Sequence, residues 1–242
     1  MRIAGKILGK TLKILRDEVR PGISGLDLNN RAEEIIKSFG GECAFLGYRP
    51  SGAGRPFPAA LCVSLNDVVV HGVPNRQRIK NGDLVKLDLG VRVQGYYADA
   101  AISVTVGSVD DDVMTLVEAT KQALLKGIRA ARPGKTLGDI GAAIEAIAET
   151  HGVSVIKGLT GHGIGTDLHE DPIVYNEGKP NTGMKLRPGM TIAIEPMFSL
   201  GSKHVVQKKD ESYATSDHAL AAHFEHTVLI GEKQTEILTE LS

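Results

Sequence analysis

The chain has 242 residues, of which 42% are hydrophobic and 24% are charged, and its formal net charge is −1 at pH 7. This length and composition predict one globular domain, residues 1–242, and the near-zero charge argues against a direct nucleic-acid site. Two isolated cysteines, Cys43 and Cys62, are typical of reduced, buried thiols, so we expect a cytoplasmic protein.

The first segment, residues 1–20, is predicted to form an amphipathic helix. Its apolar residues recur at helical spacing with basic residues between them: Ile3, Ile7, Leu8, Leu12 and Leu15. A secretory signal needs an unbroken apolar stretch, and a membrane span needs about 20 apolar residues in a row. Neither pattern occurs in the sequence, so we expect a soluble protein with no membrane contact.

An internal repeat has an offset of 112 residues, because Arg20-Pro21-Gly22 recurs as Arg132-Pro133-Gly134. Matches in the same register are Asp27 with Asp139, Leu28 with Ile140, Glu33 with Glu145, Ile35 with Ile147, and Gly40 with Gly152. Each copy predicts a helix before Arg-Pro-Gly and a second helix after it, with the aspartate as N-cap and the glycine at the end. We expect two pseudo-symmetric halves, about 1–107 and 108–242; chance similarity is the alternative.

Strand-like sequence follows each pair of predicted helices. The predicted strands are 60–70, 84–93 and 97–106 in the first half, and 154–157, 190–196, 219–230 and 235–238 in the second. Helices beside antiparallel strands predict an α+β fold, and the junction of the two halves is where we expect a concave site.

The predicted hairpin around Gln94-Gly95 brings two aspartates together. A two-residue turn there is favoured because glycine accepts a positive φ. It places Asp88 opposite Ala101, with Asp99 two residues along on the same face, about 7–8 Å away at the backbone. Two carboxylates this close in an apolar hairpin must be protonated or neutralised by a cation. Two solvent-facing aspartates are the alternative, and the hairpin alone does not decide between them.

Three further segments carry candidate ligands. His162 lies in the glycine-rich loop 161–165, and His169 follows seven residues later. Glu195 ends one predicted strand, and Glu225 lies inside another. Charged residues in such positions are seldom buried unless they are paired or metal-bound. A structural histidine, a sheet-edge charge or a salt bridge would also explain each of them.

In chain order, five segments of the sequence resemble the type I methionine aminopeptidases, which belong with creatinase and the Xaa-Pro aminopeptidases to one metallopeptidase family. These segments are Asn66 to Pro74, the hairpin with Asp88 and Asp99, Gly161 to Gly165, Ile194 to Met197, and Phe224 to Thr227. The resemblance covers essentially the whole chain. It implies the pita-bread fold, an α+β architecture of two pseudo-symmetric halves with an antiparallel sheet and helices packed on its outer face.

The resemblance also implies a function and the residues that perform it. The implied metal ligands are Asp88, Asp99, His162, Glu195 and Glu225. His71 and His169 are implied to be catalytic histidines that do not bind metal, and Glu195 to handle the proton of the attacking water. The implied reaction is hydrolysis of the first peptide bond, which releases N-terminal methionine from nascent proteins and peptides. A monomer is expected, and docking on the ribosome is left open.

The chemistry of this ligand set suits two divalent ions. Four carboxylates and one imidazole supply a charge of −4, and oxygen-rich ligands suit Mn²⁺, Fe²⁺ or Co²⁺ at least as well as Zn²⁺. A water that bridges two ions loses a proton readily and becomes a nucleophile. His71 and His169 would then stabilise the tetrahedral intermediate and position the scissile amide.

Selectivity for methionine is assigned by the resemblance to an apolar pocket. Its implied walls are Phe45, Tyr48, Phe57, Cys62, Leu168 and Tyr213. A flexible thioether packs well against aromatic rings, although ordinary core aromatics are the alternative. The chain departs from the family pattern here: segment 49–56 is longer than usual, Phe45 replaces a smaller residue, and Tyr213 stands where tryptophan is common.

Two other interpretations share the fold. Peptidases selective for proline in the second position usually carry a large extra N-terminal domain, whereas the catalytic-type sequence begins here almost at Met1. A binding protein without metals would have lost ligands, whereas all five positions hold competent side chains. Type II enzymes carry a helical insertion, but Glu195 is only 26 positions after His169, and Glu225 is only 30 positions after Glu195, which leaves no room for it.

Overall fold

The computed structural model describes residues 1–50 and 52–241, so Ser51 of the long segment 49–56 lies outside the described residues. The four helices of this part of the chain are α1 (Arg2–Glu18), α2 (Gly25–Ser38), α3 (Asp111–Ala130) and α4 (Leu137–His151). Among the described residues, no helix combines the length and the apolar character that crossing a bilayer requires.

Short antiparallel strands make up the rest of the described fold. They are β1 (Glu42–Cys43), β2 (Leu61–Leu65), β3 (Val68–Val70), β4 (Leu84–Val93), β5 (Tyr96–Thr105), β6 (Ser154–Val155), β7 (Gly161–Gly163), β8 (Glu170–Val174), β9 (Thr191–Ile194), β10 (Met197–Ser199), β11 (Val205–Gln207), β12 (Tyr213–Thr215), β13 (Ala221–His223), β14 (His226–Ile230) and β15 (Thr235–Ile237). One sheet has the order β1-β4-β2 with β5 also on β4, and the largest has the order β15-β14-β9-β7-β8. Two three-stranded sheets, β13-β10-β6 and β11-β12-β3, complete them.

The helices cover the sheets on one side and leave the other side to the site. Helix α1 packs on β4 and β5, while α3 packs against α4 and against β9, β10 and β13. In β4 the residues Leu87 and Leu89 belong to the main apolar core, and Asp88 between them points to the opposite face. The predicted α+β architecture, with helices on the outer face of antiparallel sheets, is confirmed.

The second helix of each half begins with a capping box. In α2 the Ser24 hydroxyl accepts from the Asp27 N–H at 3.2 Å, and the Asp27 carboxylate accepts from the Ser24 N–H at 3.0 Å. Thr136 and Asp139 repeat this arrangement in α4, 112 residues later. The prediction that Asp27 and Asp139 are the N-caps is therefore wrong, because each lies three residues inside and bonds back to the true cap.

The predicted hairpin is confirmed, with Asp88 opposite Ala101 and Gly90 opposite Asp99. Other strand boundaries differ from the predictions. The predicted strand 60–70 is two strands joined at 66–67, and 219–230 is interrupted at 224–225. Strands β1, β7, β8, β10, β11 and β12 were not predicted. The division of one catalytic domain, 1–242, into halves at residue 107 stays a prediction.

Candidate metal centre and substrate channel

One cavity of about 870 Å³ contains every site residue that the sequence suggested. Its walls include the five candidate ligands, Asp88, Asp99, His162, Glu195 and Glu225; the two histidines, His71 and His169; and the six pocket residues, Phe45, Tyr48, Phe57, Cys62, Leu168 and Tyr213. These residues come from both halves of the chain, so the cavity lies where the halves meet.

The candidate ligands form two adjoining groups whose ligand atoms lie within 4.8 Å of one another. Asp88, Asp99 and Glu225 form one group, and His162, Glu195 and Glu225 form the other. Glu225 belongs to both, so the two groups describe neighbouring positions for cations. A third group with the same spacing joins Asp99 and His162 to His169.

Backbone hydrogen bonds fix the carboxylates from behind. The Asp99 N–H donates to Thr227 Oγ1 at 2.9 Å, and that hydroxyl donates to the Asp99 carbonyl at 2.8 Å. The N–H of Glu225, at the break between β13 and β14, donates to the Ala101 carbonyl at 2.9 Å. Asn176 Nδ2 donates to the Glu195 carbonyl at 3.0 Å. Hydrogen bonds between the two halves thus keep Asp99 of the first half close to Glu225 of the second half.

The electrostatics of the cluster fit bound cations. Burial raises the pKa of Asp88 and of Glu195 to about 7. Burial and the neighbouring carboxylates also raise the pKa of Asp99 and of Glu225 well above the usual value. Within the described residues, one oxygen of each of Asp88, Asp99 and Glu225 is buried without a hydrogen-bond partner. Buried oxygens of this kind are costly unless protons or metal ions complete their coordination.

His162 is oriented by its own strand. A Cβ at Gly161 would lie 2.3 Å from the Ala193 carbonyl oxygen, and one at Gly163 would lie 2.1 Å from the Asp171 carbonyl oxygen, so only glycine lets β7 pass between its neighbours. His162 Nδ1 is 2.8 Å from the Gly163 carbonyl oxygen, and Nε2 is 3.4 Å from Glu195 Oε1. The ring therefore presents Nε2 to the carboxylates.

The other two predicted histidines also line the cavity. His71 has a φ of 59° and packs edge-on against Tyr213, with ring centroids 5.8 Å apart. The His169 ring lies 4.3 Å from that of His162. Removal from bulk water, followed by the nearby His223, lowers the pKa of His71 to about 4. Removal from bulk water, followed by His162, lowers the pKa of His169 to about 3, so both rings are neutral at pH 7.

An apolar cluster beside the carboxylates contains five of the six predicted pocket residues. Phe45, Cys62 and Leu168 are buried there, with Tyr48 and Phe57 packed against them. Ile164 is a buried member that the sequence analysis did not single out. Tyr213 lies apart from this cluster and packs with Val69, Val70, Ile156, Met197 and Ala221. The ring of Phe45 packs against the backbone of Gly90. It fits because Gly90 has no Cβ, and a Cβ at that position would lie only 2.6 Å from the ring.

Five described residues of segment 49–56 line the cavity: Pro50, Gly52, Ala53, Arg55 and Pro56. Glu211, which also lines it, approaches this segment, with its Oε1 3.8 Å from Arg55 Nε. These residues therefore form part of the same wall as the predicted pocket residues.

Two buried polar residues near the carboxylates were missed by the sequence analysis. His223 Nε2 is 3.6 Å from Glu195 Oε2, and neither ring nitrogen has a hydrogen-bond partner among the described residues. Lys86 is buried and donates from Nζ to the Asn66 carbonyl at 2.7 Å. Each lies two residues before a candidate ligand, Glu225 or Asp88, and alternation along a strand would have placed it on the same side.

A cluster of buried carboxylates and one imidazole at the base of a channel is the arrangement of a metallopeptidase centre. The chain belongs to metallopeptidase family M24, whose family profile matches residues 1–232. This family membership, which the resemblance of the five segments implied, is confirmed.

Within the family the chain is similar to methionine aminopeptidases. It is 44% identical to the methionine aminopeptidase of Aquifex aeolicus and 40% identical to methionine aminopeptidase 1 of Bacillus subtilis, in each case over 100% of this chain and 95% of the relative. The crystal structure of the methionine aminopeptidase from Thermotoga maritima matches with a TM-score of 0.95 and 42% identity, over 99% of this chain and 95% of that one. The expected pita-bread fold is confirmed.

Proposed function

We propose that the chain is a metal-dependent methionine aminopeptidase that hydrolyses the first peptide bond of proteins and peptides beginning with methionine. The observation that carries this proposal is the position of the five candidate ligands, which lie beside an apolar, aromatic cluster in one cavity. Relatives named methionine aminopeptidase at 40 to 44% identity over the whole chain support it. Nascent proteins are the substrates that such an activity would process.

We assign metal binding to Asp88, Asp99, His162, Glu195 and Glu225. The two adjoining groups support two ions, because two divalent cations would neutralise the charge of −4 on the four carboxylates. Co²⁺, Mn²⁺, Fe²⁺ and Zn²⁺ are the candidates. Such ions, when bound, would supply positive charge that lowers the pKa of a bound water and polarises the carbonyl of the first peptide bond. With the ions bound, the four ligand carboxylates would be ionised, because the positive charge favours their anionic form.

The remaining steps belong to side chains of this chain. We assign to Glu195 the role of accepting the proton of the attacking water and passing it to the leaving amine. His71 and His169 are neutral at pH 7, so each donates one N–H, and we assign these donors to the oxygen of the tetrahedral intermediate and to the scissile amide. The apolar cluster of Phe45, Cys62 and Leu168 would receive the methionine side chain.

The test is a cleavage assay with the metal-loaded protein on the peptide Met-Ala-Ser. We expect release of free methionine, much slower release of leucine from Leu-Ala-Ser, and no cleavage of N-acetylated Met-Ala-Ser, because acetylation removes the free α-amine that a bound metal ion would take as a ligand. A dipeptide with proline second, Ala-Pro, serves as the control for the alternative activity. No methionine release with metal bound, or faster cleavage of Ala-Pro, would overturn the proposal.

A further inference from the structure

Tyr48 makes a direct hydrogen bond to the histidine that the sequence analysis placed in catalysis. Its hydroxyl oxygen lies 2.6 Å from His169 Nδ1, and the two ring centroids are 5.2 Å apart. A separation of 2.6 Å is at the short end of the range for hydrogen bonds that involve a hydroxyl group. The resemblance implies Tyr48 as a wall of the methionine pocket, and this bond gives it a second contact with the site.

The direction of this hydrogen bond follows from the acidities of the two groups. A phenol is a stronger donor than a neutral imidazole N–H, and burial raises the pKa of Tyr48 further above 10, so its hydroxyl keeps its proton. Among the described residues, the hydroxyl has no hydrogen-bond partner other than His169. The hydroxyl therefore donates and His169 Nδ1 accepts.

The two neighbouring histidines are consequently held in opposite tautomers. A neutral imidazole carries one N–H, so His169 with an acceptor at Nδ1 carries its proton on Nε2. His162 Nδ1 instead faces the Gly163 carbonyl, which can only accept, so this ring carries its proton on Nδ1 and has its lone pair on Nε2. Only the second tautomer offers a lone pair at Nε2 for a metal ion.

We propose that Tyr48 is a positioning residue that holds His169 as an Nε2–H donor to the substrate and prevents its Nε2 from binding metal. His169 is close enough to the candidate ligands to bind a metal ion itself, because one of its ring nitrogens lies within 4.8 Å of ligand atoms of Asp99 and His162. Without a fixed tautomer, His169 could join that group as a ligand. This inference rests on the proposed function, since the donor acts on the oxygen or amide of the bound peptide.

The first test reads the tautomer directly. Long-range ¹H–¹⁵N correlation spectra of the protein loaded with diamagnetic Zn²⁺ distinguish protonated from unprotonated ring nitrogens, and His169→Gln identifies the signals of residue 169. In the wild type we expect Nε2 to be protonated and Nδ1 to be an unprotonated acceptor. In Tyr48→Phe we expect a mixture of tautomers at His169 or its Nε2 bound to metal, while His162 keeps a protonated Nδ1 and an unprotonated Nε2 and so reports an intact fold.

Tyr97→Phe is the matched control, because Tyr97 packs against the same apolar cluster without lining the cavity, and in the described part of the chain no hydrogen bond joins its hydroxyl to His169. We expect this variant to have the wild-type spectrum and wild-type kinetics. An unchanged His169 tautomer in Tyr48→Phe, or the same change in Tyr97→Phe, would contradict the inference.

The second test separates a catalytic effect from a binding effect. Tyr48→Phe keeps the aromatic ring in the pocket wall, so KM for Met-Ala-Ser should stay within about twofold, whereas kcat should fall at least about tenfold because a wrong tautomer cannot donate. A rise in KM with unchanged kcat would show that Tyr48 acts only as pocket wall. If the wild type releases no methionine, the proposed function fails; if it does and Tyr48→Phe is equally active, only this inference fails.

Discussion

Asp99 illustrates what a buried carboxylate in this chain requires. Its side chain is 3% exposed, its Oδ1 lacks a hydrogen-bond partner among the described residues, and Asp88 and Glu225 lie close by. Three carboxylates with so little solvation cannot all be ionised without a cation, because the repulsion and the loss of hydration are too large. The side chain is therefore explained by a bound ion better than by a structural role.

Asp99→Asn should weaken metal binding and remove activity. The amide keeps the shape but removes one negative charge and one anionic ligand, so we expect the affinity for Mn²⁺ to fall by at least about tenfold, with a comparable or larger loss of kcat. Isothermal titration calorimetry and the Met-Ala-Ser assay measure the two effects. Asp112→Asn, at an exposed position on α3, is the control and should match the wild type. Equal metal affinity in Asp99→Asn would show that this carboxylate is not a ligand.

Metal binding should release protons, and more of them at low pH. Because burial raises the pKa of Asp88 and of Glu195 to about 7, these groups are largely protonated in the metal-free protein at pH 6 and largely ionised at pH 8. A cation must displace these protons, so metal affinity should fall as the pH drops below about 7. Calorimetric titrations at both pH values, in buffers of different ionisation enthalpy, count the protons. A count that does not rise between pH 8 and pH 6 would contradict the raised pKa values.

The positions of site residues could be predicted where two local signals were both present: the alternation of side chains along a strand, and a turn of defined type. The Gln94-Gly95 turn predicted the register that places Asp88 opposite Ala101 and Asp99 opposite Gly90, and the structure has that register. The same alternation applied to His223 and Lys86 would have placed them beside the ligands, but nothing in the sequence says which face of an apolar strand meets the site. That information comes from the packing of the other half of the chain.

At the scale of elements, the sequence predicted the repeated pair of helices but not the residues that cap the second helix of each pair. The aspartates Asp27 and Asp139 match in the repeat, but the caps are Ser24 and Thr136, three residues earlier. Both serine or threonine and aspartate are good N-caps, so spacing alone did not decide which residue starts the helix. The structure decides it through the hydrogen bonds of Ser24 and Thr136.

Ser24→Ala and Thr136→Ala should each lower the free energy of unfolding by about 1 kcal/mol, because each removes one half of a capping box. Neither residue lines the channel, so kcat and KM for Met-Ala-Ser should stay at the wild-type values. Chemical denaturation of the metal-free protein gives the stabilities. Losses of similar size in the two variants would support equivalent roles in the two halves, and no loss in either would show that the boxes contribute nothing to stability.

Short strands were the elements that the sequence predicted least well. Glu225 lies at a break between β13 and β14, where its N–H bonds to the hairpin of the other half. Local alternation continues through this break, so the sequence alone predicts one strand from 219 to 230. The interruption depends on a long-range contact with Ala101, which no local pattern contains.

At the scale of the whole molecule, the two halves bring unlike contributions to one cavity. The first half supplies a long hairpin with Asp88 and Asp99. The second half supplies His162 from β7, Glu195 from the residue after β9, and Glu225 from the break between β13 and β14. The repeat and the α+β architecture could be predicted because they depend on helix periodicity and turn chemistry. The shape of the pocket could not, since it depends on contacts between distant segments, such as Arg55 with Glu211 and Tyr213 with His71.

The most direct test of the account is the metal content of the protein measured together with its activity. Protein purified without added metal should be analysed by elemental mass spectrometry, then stripped with a chelator and titrated with Mn²⁺ or Co²⁺ during Met-Ala-Ser cleavage. We predict up to two divalent ions per chain, loss of methionine release after stripping, and its return as the ions bind. Full methionine release by the stripped protein, or no divalent ion bound at any concentration tested, would contradict the account.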